Sequence, residues 1–268
     1  MSKVPAWSLL LAALALLPAC ALFREDDRLE NAPVEELYAL AKRSLDRGNY
    51  ARAEEDYKRL IARFPFGPYS EQAQLELAYA QHKMRKAEEA LSTINRFIRT
   101  YPRHEKIAYA HYLRALISFE RELSFIDRWL GRPPQTRDLE HLRQAFSDFG
   151  EVIQRFPDTE YAADARQRMV YLRNVLAQSE IDVASFYLRR QAWVAAANRA
   201  RFVIENYPRA PQNADALAIL AYCYERMGER QLAEDTRRVL ERNFPEHPYL
   251  KGGWPRERSL WQRILPFG

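Results

Sequence analysis

Glycine, cysteine and long apolar runs are what this chain has least of. Eight glycines in 268 residues leave no Gly-rich loop to cradle a phosphate, and few of the positive-φ positions that serial β-hairpins consume. Two cysteines, Cys20 and Cys223, exclude a disulfide framework and a cysteine-built metal cluster. The histidines (His82, His104, His111, His141 and His247) lack the i, i+4 pairing of a helical metal site. Carboxylate pairs such as Glu35-Glu36, Glu54-Glu55 and Glu88-Glu89 are adjacent in sequence, so on a helix they diverge by about 100° and read as solvated faces. No serine elbow is present. These absences remove the catalytic readings one by one: the chain is expected to be no enzyme and to need no metal or dissociable cofactor. Charge of either sign is not in surplus. The formal net charge is +5 with both signs interspersed, which describes solvated helix faces and predicts no nucleic-acid partner.

The longest apolar run is at the N-terminus. Lys3 precedes nine apolar residues, Leu9 to Leu17, followed by Pro18-Ala19-Cys20. A run this short cannot cross a hydrocarbon layer of roughly 30 Å, which takes about 20 helical residues, so it is expected to be a signal peptide over 1–19. Leu17 and the small Ala19 before Cys20 resemble the bacterial lipobox. Cys20 is then the lipidation site and new N-terminus, carrying a thioether-linked diacylglycerol and an N-acyl chain, which takes it out of any disulfide. Ala21 in place of Asp after the anchor implies delivery to the outer membrane. Residues 20–32 have no periodic apolar face and are expected to form the lipidated start and a charged tether.

From residue 33 onward the chain repeats. An aromatic-Pro pair closes successive amphipathic stretches at Phe64-Pro65, Tyr101-Pro102, Phe156-Pro157, Tyr207-Pro208 and Phe244-Pro245. Proline cannot continue a helix, so five stops predict five helical hairpins. The spacings of 37, 55, 51 and 37 residues bracket the tetratricopeptide period of about 34. Small residues set the phase, because the two helices of such a hairpin cross at alanine: Ala41 with Ala53, Ala78 with Ala90, and Ala221 with Ala233 are each twelve apart. Ala115 and Ala145 are thirty apart, which puts an eighteen-residue insertion between the helices of the third hairpin. That insertion holds Phe125, Trp129, Leu130, Gly131 and Arg132-Pro133-Pro134 and is expected to be a loop. The 51-residue spacing carries an excess of fourteen with no Pro or Gly from Tyr161 to Arg190, nearly four helical turns, and predicts a lengthened first helix. The fold class expected is all-α, a right-handed superhelical solenoid of about five tetratricopeptide-like hairpins over 33–246, divided as 33–65, 70–102, 104–157, 160–208 and 211–245. One hairpin cannot bury its apolar face alone, and stacking does. Cys223 falls inside this pattern as a small core residue, and the tyrosines Tyr38, Tyr57, Tyr79, Tyr112 and Tyr187 read first as packing.

Two segments depart from the repeat. Phe64-Pro65-Phe66-Gly67-Pro68-Tyr69-Ser70 joins the first two hairpins with three aromatics and two prolines, a rigid apolar junction that serves either as a plug between repeats or as a peptide-binding site formed by Phe64, Phe66 and Tyr69. The tail 247–268 is rich in aromatic and basic residues and sets Leu260, Trp261, Ile264 and Leu265 on one side of a helix, as an amphipathic cap or a docking segment.

The stretches Arg63 to Ser70, Arg96-Phe97-Ile98-Arg99, Ala145-Phe146-Ser147-Asp148-Phe149, Tyr171-Leu172-Arg173 and Ala192-Trp193-Val194-Ala195-Ala196-Ala197-Asn198-Arg199 together resemble the BamD family, the tetratricopeptide lipoproteins of the outer-membrane β-barrel assembly machinery of Gram-negative bacteria. The resemblance implies a non-catalytic scaffold held by its lipid on the periplasmic face of the outer membrane. It implies that the N-terminal hairpins and the Phe64 to Ser70 junction meet unfolded outer-membrane proteins, including their aromatic-ended C-terminal strand. It further implies that the C-terminal hairpins, with Trp193 and Arg199, dock on the last periplasmic domain of the barrel subunit BamA, and that BamC and BamE are companion lipoproteins. A tetratricopeptide lipoprotein that organises peptidoglycan enzymes is the alternative; the Pro-Phe-Gly-Pro-Tyr junction and the inserted loop argue against it.

Overall fold

The computed structural model describes residues 31–122 and 139–253. The signal peptide, Cys20, most of the tether, the inserted loop from Phe125 to Pro134 and the tail beyond 253 lie outside the described residues. Within them the chain is helical throughout: α1 (Val34–Asp46), α2 (Tyr50–Arg63), α3 (Pro68–Lys83), α4 (Ala87–Thr100), α5 (Ile107–Glu122), α6 (Glu140–Arg155), α7 (Glu160–Arg189), α8 (Trp193–Asn206), α9 (Asn213–Met227) and α10 (Arg230–Asn243), with a final 3-10 turn at Pro248–Lys251. Successive helices pair as hairpins, and within each unit described below the hairpins stack, a helical-repeat arrangement in which α1, α3, α5, α7 and α9 are the first helices and the others the second. The described residues divide into two compact units, one up to His104 and one from Glu105 onward.

Each second helix ends for the same physical reason. The aromatic residue before each proline leaves the helical region, with φ between −124° and −141° at Phe64, Tyr101, Phe156, Tyr207 and Phe244, because the proline ring crowds an α-conformation in the preceding residue. Its N–H still reaches the carbonyl four residues back, as Phe64 does to Leu60 at 2.8 Å, and the helix closes without an orphan donor. In the first, second, fourth and fifth hairpins the turn from first to second helix passes through one left-handed residue: Gly48 (φ 75°), Arg85 (φ 60°), Gln191 (φ 58°) and Gly228 (φ 81°).

The alanines that set the phase are where the helices cross. Ala41, Ala53, Ala78, Ala90, Ala115, Ala145 and Ala221 are fully buried and Ala233 is 5% exposed. In the fourth hairpin Ala184 and Ala196, again twelve apart, are fully buried. The 30-residue α7 keeps that crossing in register by adding whole turns before it. In the first unit the core runs through Leu37, Ala41, Leu45, Ala53, Tyr57, Leu60, Ala73 and Leu77. Packing begins at Ala32, 3% exposed and part of this core, one residue inside the stretch expected to be tether. In the second unit α7 carries Leu172, Leu176, Ile181 and Ala184 into a continuous core with Phe149, Val203, Ile219 and Cys223. Burial pushes the Cys223 thiol up to about 11, so it is an inert core group at neutral pH. Tyr57 is fully buried and packs in the core, while Tyr38, Tyr79, Tyr112 and Tyr187 are partly buried against the cores and keep part of each ring exposed. The 247–268 tail starts as part of the fold: His247 meets Asp215 of α9 at 3.1 Å, and the Tyr249 hydroxyl donates to Glu225 at 2.8 Å.

Candidate functional site

The junction between α2 and α3 is built from its backbone outward. Gly67 has φ 104° and ψ 167°, a conformation closed to residues with a side chain, and its carbonyl accepts from the N–H groups of Ser70 and Glu71 at 3.0 and 3.1 Å. Pro68 opens α3 at a position whose N–H would have no helical partner. The hydroxyl of Ser70, fully buried, donates to the carbonyl oxygen of Phe64. These contacts divide the expected trio. Phe64 turns inward against the first core with the Arg63 guanidinium 5.0 Å over its ring; it is the plug. Phe66 is 86% exposed, and Tyr69 is 37% exposed with its ring 5.3 Å from that of Tyr38.

Beside these rings lies a polar hub that residue types alone did not reveal. The Glu76 carboxylate on α3 accepts from the Tyr57 hydroxyl at 2.5 Å and from the Gln72 amide at 2.9 Å, and pairs with Lys42 of α1 at 3.3 Å. Burial, then the hydrogen bond to Glu76, hold the Tyr57 phenol well above its ordinary range, and Tyr38 is raised by burial and then by the Glu76 charge. Both phenols stay protonated, and Tyr57 acts as a donor. One face of the first unit therefore presents Tyr38 and Tyr69 beside a shared carboxylate and ammonium. Chemically this arrangement offers ring faces to apolar or aromatic side chains and hydrogen bonds to exposed peptide groups. Among the described residues no group of three His, Cys, Asp or Glu side chains could hold a metal ion.

In the second unit, Trp193 and Val194 open α8 and line a shallow depression of about 530 Å³ with Gln191, Ala192, Asn198 and Met227. Trp193 meets Tyr222 edge-on at 5.8 Å, with the Arg226 guanidinium 5.9 Å over the indole; Val194 is 63% exposed. Arg199 is elsewhere on α8. It pairs with Glu180 of α7 at 3.0 Å, and Arg143 of α6 reaches the same carboxylate at 3.4 Å. Glu180 is 4% exposed, whereas the Arg199 side chain keeps 47% of its surface in water. Arg199 thus neutralises a buried carboxylate and still keeps a face in water. Glu180 gave no signal in the sequence because its partners are nineteen and thirty-seven residues away.

The outer membrane lipoprotein family YfiO matches residues 30–240. Outer membrane protein assembly factor BamD of Xylella fastidiosa (strain 9a5c) is 44% identical over 260 residues, 97% of this chain and 89% of that protein. The chain belongs to the BamD family. BamD of Neisseria meningitidis serogroup A is 43% identical over 230 residues, 86% of each chain, and BamD of Vibrio cholerae is 36% identical over 87% of this chain and 96% of the relative. Among solved structures the chain is similar to the TPR2AB domain of yeast Sti1 in its pHSP90 complex, 13% identical with a TM-score of 0.44 over 81% of this chain and 79% of that one, a likeness too loose to add to the assignment. BamD membership makes the chain a non-enzymatic scaffold of outer-membrane protein assembly, associated with the outer membrane. No helix among the described residues is long and apolar enough to cross a membrane.

Proposed function

We propose that the chain is the lipid-anchored scaffold subunit of an outer-membrane protein assembly complex, held on the periplasmic face by acylated Cys20, and that it receives unfolded outer-membrane proteins on its first unit and the barrel subunit on its second. The observation that carries this reading is Phe66. A phenylalanine 86% exposed, at the apex of a junction locked on both sides, adds almost nothing to folding, while burying it against a partner is worth about 1.5–3 kcal/mol. With Tyr69 and Tyr38 it forms an aromatic surface suited to the C-terminal aromatic residue and the unpaired backbone of an unfolded β-strand. On the second unit, Trp193, Val194 and the outward half of Arg199 form the surface for the last periplasmic domain of BamA. The companion lipoproteins BamC and BamE complete the set of partners that membership in the BamD family supports.

The test is binding of a peptide ending in the aromatic C-terminus of an outer-membrane barrel to the purified mature chain. Replacing Phe66 and Tyr69 together by alanine is expected to weaken binding by at least tenfold with the helical circular dichroism unchanged. Unchanged affinity in that folded double variant would remove the junction as the receiving site.

A further inference from the structure

Aligning the second helices on their crossing alanines, Ala53, Ala90, Ala145, Ala196 and Ala233, brings equivalent outer positions into view. One position before each alanine and six after it, the first three hairpins carry Arg52 and Arg59, Glu89 and Arg96, and Gln144 and Glu151. The fourth carries Ala195 and Phe202, and the fifth Leu232 and Val239. A row that is charged or polar along the first three hairpins becomes apolar in the last two, and it is open: Phe202 is 38% exposed, Leu232 47% and Val239 46%.

This row is not the face on which another repeat would stack. Four residues after the crossing alanine, where within each unit the second helix meets the next hairpin, the first, third and fourth hairpins place Tyr57, Phe149 and Ala200; the fifth places Arg237, half exposed and paired with Glu241 at 3.1 Å. The stacking face of α10 thus ends in a charge, as the outer surface of a terminal repeat does. The exposed apolar row therefore calls for a different cover.

We infer that the cover is the chain's own C-terminal segment, 254–268, docking through Leu260, Trp261, Ile264 and Leu265 on Phe202, Leu232 and Val239. Three observations support that occupant. The segment starts on the hairpin it would cover, since His247 and Tyr249 tie the preceding residues to Asp215 and Glu225 of α9. Its length suffices: the six residues from 254 to 259 span up to about 20 Å when extended, enough to pass around one helix of roughly 10 Å diameter. The apolar residues of the segment recur at i, i+1, i+4 and i+5, one side of a helix. Tethering raises its effective concentration to the millimolar range, so even a weak apolar contact is largely occupied.

Disulfide trapping in the full mature chain tests this. Paired cysteines at Val239→Cys and Ile264→Cys are expected to join within one chain, at a yield independent of protein concentration, and truncation after Gly253 is expected to speed amide exchange of α10 at least fivefold while leaving α1 to α4 unchanged. The full-length L260D/W261D variant should show the same acceleration if the truncated chain folds poorly. Cross-links found only between chains would mean that a second copy fills the row. Unaltered α10 exchange in both variants, with tail-dependent binding to anionic lipid vesicles, would assign the tail to the membrane. Either result overturns the inference.

Discussion

Ser70 spans the junction between the first two hairpins by donating its hydroxyl to the carbonyl oxygen of Phe64. That bond crosses six residues and satisfies a carbonyl left over where α2 stops, and it fixes the loop from which Phe66 projects. A Ser70→Ala change removes the donor at a fully buried position and is expected to cost about 1–3 kcal/mol. Denaturant unfolding followed by circular dichroism reads the loss, and amide exchange should locate it at residues 64–71 and not in the second unit.

The Arg199–Glu180 pair changes how the docking reading has to be tested. Reversing the charge at Arg199 sets two carboxylates against each other at a buried site, so lost binding would not separate docking from folding. Arg199→Ala alone should lower stability by roughly 1–2 kcal/mol, below the cost of breaking a fully buried pair, because the guanidinium is half in water and Arg143 stays beside Glu180. Adding Glu180→Gln should return most of that stability, as measured by thermal melting. If Arg199 also faces the barrel subunit, co-purification stays weak in the stabilised double variant; restored co-purification would leave Arg199 a structural role only.

The fold was legible because its determinants are local. Proline stops and alanine crossings follow from backbone sterics and close helix approach, and both survive an insertion of any length between them, so the longer α7 and the displaced α6 could be placed by counting. The site was legible only in part. Phe64, Phe66 and Tyr69 form one cluster in the sequence, and it takes the Gly67 conformation and the Ser70 hydroxyl to turn the first inward and leave the second outside. Glu76 and Glu180 were invisible for another reason: each is an ordinary acidic residue in a helical pattern whose meaning comes from cations and hydroxyls on other helices. The left-handed turns were half visible, at Gly48 and Gly228, and hidden at Arg85 and Gln191.

Those four turns yield a stability prediction. No atom stands within 4 Å of where a Cβ would lie at Gly48, so Gly48→Ala introduces only the strain of φ 75° and should cost about 1 kcal/mol. The converse applies at Arg85, with φ 60°: glycine there relieves about 1–2 kcal/mol of left-handed strain and gives back about 0.4–1 kcal/mol through the freer unfolded chain. Arg85→Gly should therefore raise stability by about 0.5–1 kcal/mol in urea unfolding. A loss in place of that gain would mean that the Arg85 side chain contributes more than its backbone costs.

Acid should act on the first unit through Glu54. This carboxylate, 5% exposed, accepts from Lys58 and Lys86 at 2.6 Å each and from Gln81 at 3.1 Å, while Thr93 donates to Gln81 at 2.8 Å, a network that links α2 to the second hairpin. Burial pushes the Glu54 pKa up, but the hydrogen bonds outweigh it and hold the group at about 2, from an ordinary value of 4.5. A depressed folded-state pKa means that the unfolded chain takes up the proton first. The stabilisation is complete above about pH 4.5, declines as pH falls through the interval to about 2, and is worth roughly 3 kcal/mol at its largest. Glu54→Gln keeps the shape and removes the titration, so the variant should be the less stable protein at pH 7 while the difference from the parent shrinks steadily below pH 4.5. Chemical denaturation of both proteins at pH 7, 4 and 3 measures that difference directly, and a gap that stays constant across the series would show that the ammonium groups of Lys58 and Lys86 do not stabilise the carboxylate.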